Sequence, residues 1–303
     1  PYVDHLPHEE VTLAEVLRSA GYATFFAGKW HLGGDGFDPT TQGFDVNVAG
    51  NRRGGPYGPG KYFHPFGMPN LTSEPGDHLP ARLADEAISF IEGHASEPWL
   101  CYLSFYSVHT PLVGRPDLVE HYREKKQRLG LKARWGKEGE RRVRLVQEHA
   151  VYAAMVAAMD EAAGRVLDVL DRLDLAQDTV VVFFSDNGGL STSEGHPTSN
   201  SPLRAGKGWL YEGGIREPLV VKWPGVTQAG SVIATPVISP PPPAQQIRWS
   251  NGAPNASIWC ANSSPAVPCP ATMSLSSKLG TTTAPRSSAI RVAISSRLSV
   301  SRS

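Results

Sequence analysis

The run "TVVVFFSDNGG", residues 179–189, decides the fold. Its first six residues are β-branched or aromatic with no alternating polar position, the pattern of a strand buried on both faces. Its last five, Ser185-Asp186-Asn187-Gly188-Gly189, switch abruptly to polar and turn-forming residues. Two other apolar runs end in the same way. "YATFF" (22–26) leads into Gly28-Lys29-Trp30-His31, and "WLCYLSFY" (99–106) leads into Ser107-Val108-His109-Thr110-Pro111. Ligands of open α/β sheets bind beyond the carboxyl ends of the strands, so the three clusters are expected to converge.

Helical patterns lie between these runs. Thr12 and Glu15 have capping-box spacing. Leu13, Val16, Leu17 and Ala20 follow a helical period, and Gly21 is placed to stop it. A second helix is expected over residues 80–94. A basic insert, residues 123–144, precedes a long helix whose expected buried stripe is Leu145, Ala153, Val156, Met159, Ala163, Val166, Leu167 and Leu170. A further strand, "REPLVVKW", ends at Pro224. Strands alternating with helices predict an α/β fold with a largely parallel, mixed sheet flanked by helices. Residues 33–79 are rich in Gly, Pro, Asn and aromatics and predict an ordered loop without regular elements on the substrate side. There Asn51, Arg52, Tyr57, Tyr62 and His64 suit a sugar or an aryl group.

The formal net charge of the 303 residues is zero and gives no sign of nucleic acid as a partner. No apolar run approaches the ~18 residues of a membrane span. Three cysteines, widely spaced, do not make a disulfide framework, and Cys101 is expected to pack in the core. The even balance hides a split, because Glu217 is the last acidic residue. From residue 240 onward, 39 of 64 residues are Ser, Thr, Pro, Ala or Asn. Two readings of 240–303 stand: a disordered tail, or out-of-frame translation beyond a domain spanning 1–239. The chain begins at Pro1 without methionine and is expected to be a fragment.

Each polar cluster has an ordinary reading as well as a chemical one. Asp186 and Asn187 offer hard oxygen ligands for Ca²⁺, less so Mg²⁺, or else an Asx-type turn. Lys29 and His31 could be an anion ligand and a proton handler, or a solvated loop. His109 could be a hydrogen-bonded strand-end histidine. Lys207, in "LRAGKGWLYEGGIREP", could be a second anion ligand, although no phosphate-loop pattern surrounds it. Arg216 and Glu212 are equally suited to pinning this loop, His196 is ambiguous, and Asp160 reads as a solvated or capping charge.

The combination is sharper than its parts. "GYATFFAGKWHLG", "GFD" at residues 43–45, "SVHTP", "SDNGG" and "PLRAGKGWLYEGGIREPLVVKWPG" together resemble the sulfatase family of the alkaline-phosphatase-like superfamily. The resemblance covers residues 1–239 and implies an incomplete three-layer sandwich. It implies that Asp186 and Asn187 are Ca²⁺ ligands and that Lys29 and Lys207 hold sulfate oxygens. By the same resemblance, His31 lies beside a formylglycine nucleophile and His109 near the scissile oxygen. The implied substrate is a small-molecule or carbohydrate sulfate ester, and the family suggests a periplasmic or extracellular setting. The family's C/S-x-P-x-R nucleophile motif and its two early Asp ligands do not occur here. Neither Cys260 nor Cys269 begins such a motif, and the small C-terminal subdomain is also missing. The chain alone is therefore expected to be inactive. The rival readings are a phosphodiesterase or phosphonate hydrolase of the same superfamily, and a non-catalytic truncated product.

Overall fold

The computed structural model describes residues 4–237 and, as backbone, residues 291–294. Eight strands and five helices make up the described part. Strands β1 (Ala23–Gly28), β2 (Val46–Val48), β3 (Trp99–Ser104), β6 (Thr179–Phe184), β7 (Leu219–Lys222) and β8 (Arg291–Ile294) form one sheet in the order β2-β1-β3-β8-β6-β7. All pairings are parallel except β6 with β7. Strands β4 (Trp135–Glu138) and β5 (Arg141–Arg144) form a separate antiparallel hairpin.

The strands alternate between two cores. Phe25, Ala27, Cys101 and Leu103 face a cluster built with helices α2 (Leu79–Gly93) and α4 (Ala150–Arg172). Phe26, Leu100, Val180 and Val182 face the other side, where α1 (Leu13–Ser19) supplies Ala14 and Leu17. Neighbouring Phe25 and Phe26 thus bury opposite faces, each contributing about 1.5–3 kcal/mol by removal from water. The result is the three-layer α/β sandwich that the family resemblance implies, with "TVVVFF" buried on both faces as expected. Helix α1 carries the expected capping box, with Thr12 and Glu15 each bonding the other's backbone N–H. At the end of β1, Gly28 has φ +110°, and a Cβ there would lie 1.8 Å from the Ser104 carbonyl oxygen. Glycine is required for that close approach, which delivers Lys29 beside β3.

Several expectations need correction. Helix α4 starts at Ala150, so Leu145 lies outside it, where its N–H bonds Arg134 O. The buried face of α4 is Ala154, Met155, Ala158, Met159, Ala162, Ala163, Val166, Val169 and Leu170, while Ala153, Val156 and Leu167 are half-buried. It packs against both α2 and α3 (Pro116–Arg128), which widens its apolar face beyond a single stripe. Residues 33–79 are not wholly irregular, since they contain β2 and a 3-10 turn, Pro39–Gln42. Tyr62 is fully buried, donating to the carbonyls of Tyr106 and His109, and holds the loop together rather than facing substrate. The basic insert is the end of α3 plus the β4–β5 hairpin.

Within 240–303, Arg291–Ile294 take a strand position between β3 and β6, so regular structure does occur there. The rest of that stretch, including Cys260 and Cys269, lies outside the described residues. Among the described residues no helix is long and apolar enough to cross a membrane.

Candidate active site

The ends of β1, β3 and β6 deliver their polar clusters to one pocket of about 450 Å³. Lys29, His109, Asp186, Asn187 and Lys207 all line it. Lys29 is carried on by the turn after Gly28, its own N–H bonded to Ser104 O at 2.8 Å. The Lys29 ammonium lies 3.7 Å from an Asp186 carboxylate oxygen. Burial lowers the Lys29 pKa, partly offset by Asp186, and nearby Lys207 lowers it further. The Lys207 N–H bonds Gly189 O at 3.1 Å, tying the second lysine to the turn after β6.

His109 is half-buried, and Nδ1 lies 2.8 Å from Thr110 O. A carbonyl can only accept, so Nδ1 carries the proton in this bond and Nε2 is left unprotonated in the neutral ring. The Thr110 hydroxyl in turn donates to Glu194 at 2.9 Å. Burial lowers the His109 pKa, and Lys207 and Lys29 lower it further. His31 is more exposed and does not line the pocket itself. Its backbone is left-handed, φ +58°, and its N–H bonds Asn51 O at 3.0 Å. Its ring lies over Gly54, where a Cβ would come within 2.6 Å of Cε1. Burial lowers its pKa as well, followed by the charges of Lys29, His109 and Lys207. All four expected catalytic residues therefore share one electrostatic neighbourhood.

Sequence reasoning passed over Glu217. It lines the same pocket, with Oε1 buried and without a hydrogen-bond partner. Burial, with the Asp186 charge adding to it, raises its pKa to about 7. A glutamate flanked by "IR" and "PL" reads as an ordinary strand-end charge, and only the tertiary approach to Asp186 reveals it. Arg216 and Glu212 are exposed and pair with each other, 3.4 Å apart within one helical turn. His196 is structural too: its carbonyl accepts from Arg144, and its ring packs edge-on to Trp135.

The donor chemistry of Asp186 and Asn187 fits a hard cation. Asn187 donates its amide N–H to Asp186, leaving an amide oxygen and a carboxylate oxygen as ligands, with the unpartnered Glu217 oxygen in the same pocket. Among the described residues no group of three or more His, Cys, Asp or Glu forms a metal cage. The set would therefore supply only part of the six- to eight-oxygen shell that such a cation takes.

The fold and pocket define an α/β sandwich of the alkaline-phosphatase-like kind, with a polar pocket at the carboxyl ends of its strands. Residues 1–242 match the Sulfatase family, and the chain belongs to that family. It is 31% identical over 250 residues to human N-acetylgalactosamine-6-sulfatase, covering 76% of this chain and 42% of that protein. It is 36% identical over 165 residues to human steryl-sulfatase, covering 53% of this chain and 24% of that protein. Among solved structures it resembles Ps i-CgsB in complex with k-i-k-neocarrahexaose. There the TM-score is 0.57 at 25% identity, covering 74% of this chain and 50% of the other. The chain thus spans about half or less of the length of the proteins it matches.

Proposed function

We propose that this chain carries most of the anion-binding wall of a sulfuric ester hydrolase that cleaves sulfate monoesters of a carbohydrate, with an aryl ester as the less favoured substrate. The observation that carries the reading is the convergence of Lys29, Lys207 and His109 on one pocket with Asp186 and Asn187. The neocarrahexaose bound by a structural relative supports a carbohydrate ester. In this reading the two ammoniums hold the sulfate oxygens and stabilise the charge that spreads over them in the transition state. Asp186 and Asn187 would hold Ca²⁺, which adds Lewis-acid stabilisation of that charge when bound.

His109 donates the proton to the departing alcohol. In the free site burial, and then the charges of Lys207 and Lys29, lower its pKa. Bound sulfate carries negative charge that offsets the lysines, so the ring gains its proton as substrate arrives. His31, propped on Gly54, orients the nucleophile. The nucleophile is a formylglycine from a C/S-x-P-x-R segment, which is not in this sequence.

The test has two arms. Purified as given, with Ca²⁺ and an aryl sulfate, the chain is expected to show no turnover above background; normal turnover would overturn the division of the site. In the protein that includes the nucleophile segment, Lys207→Ala is expected to lower kcat/KM by about 10²-fold or more. Full activity in that variant would overturn the sulfate-binding role.

A further inference from the structure

The basic insert was left unexplained by the pocket. Residues 123–144 hold ten Lys and Arg against three Glu. In the β4–β5 hairpin Trp135 stands opposite Arg144, and Lys137 stands opposite Arg142. Alternation puts these four on one face, while Glu138 and Arg141 occupy the other. Of the three cations on the first face, Arg144 is buried and paired with Glu148, which leaves Lys137 and Arg142 as the exposed ones. Lys137 and Arg142 are exposed, and like charges directly opposed across a hairpin are destabilising on their own. Neither appears in an ion pair among the described residues, whereas Glu138 is taken by Arg204 at 2.6 Å. The Arg142 guanidinium lies 3.9 Å over the Trp135 ring, which holds its charge in place at the surface.

The position of this face relates it to the pocket. Arg144 N–H bonds Ser191 O at 3.0 Å, and Trp135 packs against His196. Gln147 donates to Ser199 O at 2.6 Å. The segment 190–207 thus has the hairpin against one side, while Leu190, Thr198, Asn200 and Lys207 line the pocket from the other. Trp135 thus borders the wall segment, and the Lys137–Arg142 pair stands next to it along the hairpin.

We propose that the Trp135–Lys137–Arg142 face is a subsite for a second sulfate group on a sugar unit away from the one being hydrolysed, so that the ligand is a multiply sulfated oligosaccharide. The assignment rests on the sulfate-ester reading of the pocket and adds the substrate class. Two opposed cations share the oxygens of one sulfate ester between them, and its negative charge relieves their mutual repulsion. Nucleic acid is the competing polyanion, but the patch is only a few residues long and packs against the segment 190–207 that also lines the pocket.

The test uses the full chain, a dextran sulfate hexasaccharide and unsulfated dextran of equal length, by calorimetry at 50 and 200 mM salt. The wild type is expected to bind only the sulfated probe. Lys137→Ala/Arg142→Ala is expected to weaken binding by about tenfold at 50 mM salt and to flatten the slope of log Kd against log[salt] by roughly two. The charge-matched control Arg141→Ala/Lys222→Ala, with one site on the opposite hairpin face and one on β7, is expected to stay within about twofold of wild type. Equal loss in both variants, or none in the first, overturns the subsite. Equally tight binding of a duplex DNA of matched charge, lost in the same variant, overturns its assignment to sulfated sugar. Lys207→Ala, measured with a monosulfated aryl ligand, reads the pocket separately. If that binding is unchanged, the sulfate reading of the pocket fails whatever the hairpin does.

Discussion

The two halves of the sheet are built to different standards. In the β2-β1-β3 half, β1 and β3 run in register over six residue pairs, and both are buried on both faces. In the β6-β7 half, β7 pairs over only four residues and leaves Leu219 and Val220 exposed, Val220 by 56%. The candidate site straddles them. Lys29 and His109 follow strands of the first half, while Asp186 and Asn187 follow β6, and Lys207 and Glu217 sit on the irregular segment leading into β7. One wall of the pocket is therefore positioned by a packed core, and the other largely by loop hydrogen bonds such as Lys207 N–H to Gly189 O. In the proposed reading the two sulfate-holding lysines come one from each wall, so sulfate itself would help hold the halves in register.

This contrast can be broken by mutation. Trp99 on β3 is completely buried in the larger core, and Trp99→Ala is expected to cost about 3–5 kcal/mol in urea unfolding. A cost below 1 kcal/mol would mean that the first half is not the better packed one. A second, smaller effect concerns acid. His78, at the start of α2, is buried beside Tyr62 and Phe63, and burial, with Arg115 adding to it, pushes its pKa down to about 4. The ordinary histidine value, about 6.5, applies to the unfolded chain, which therefore binds more protons between the two values. Stability should be intact above pH 6.5, fall as pH drops, and be lower by about 3 kcal/mol near pH 4. His78→Asn should remove that slope, and an unchanged slope would place the acid sensitivity elsewhere. At the bottom of the scale, Val220→Thr on exposed β7 is expected to shift stability by less than about 0.5 kcal/mol. A larger loss would show that β7 is covered in solution.

The same contrast explains what could be read from sequence. Helix α1, β1, β3 and β6 announce themselves through local signals: a capping box, and apolar runs that end abruptly in polar clusters. Those runs also placed Lys29, His109, Asp186 and Asn187 at strand ends, which is where the pocket is. Glu217 was not legible, because its significance is its distance from Asp186, a contact across 31 positions. Tyr62 was misread for the opposite reason: an aromatic in a polar loop looks like a ligand platform until its hydroxyl finds two buried carbonyls. The hairpin β4–β5 was hidden by its charges, which mask the two-residue alternation that strands normally display.

Strand β8 carries a consequence for synthesis. It is the element that joins β3 to β6, yet 106 positions separate Phe184 from Arg291. At about 5–20 residues per second, a growing chain would hold two facing strand edges open for roughly 5–20 s after β6 is complete. Through that interval the centre of the sheet is a template for any passing strand, so the yield of folded protein should depend on how well that gap is shielded until residue 294 has been made.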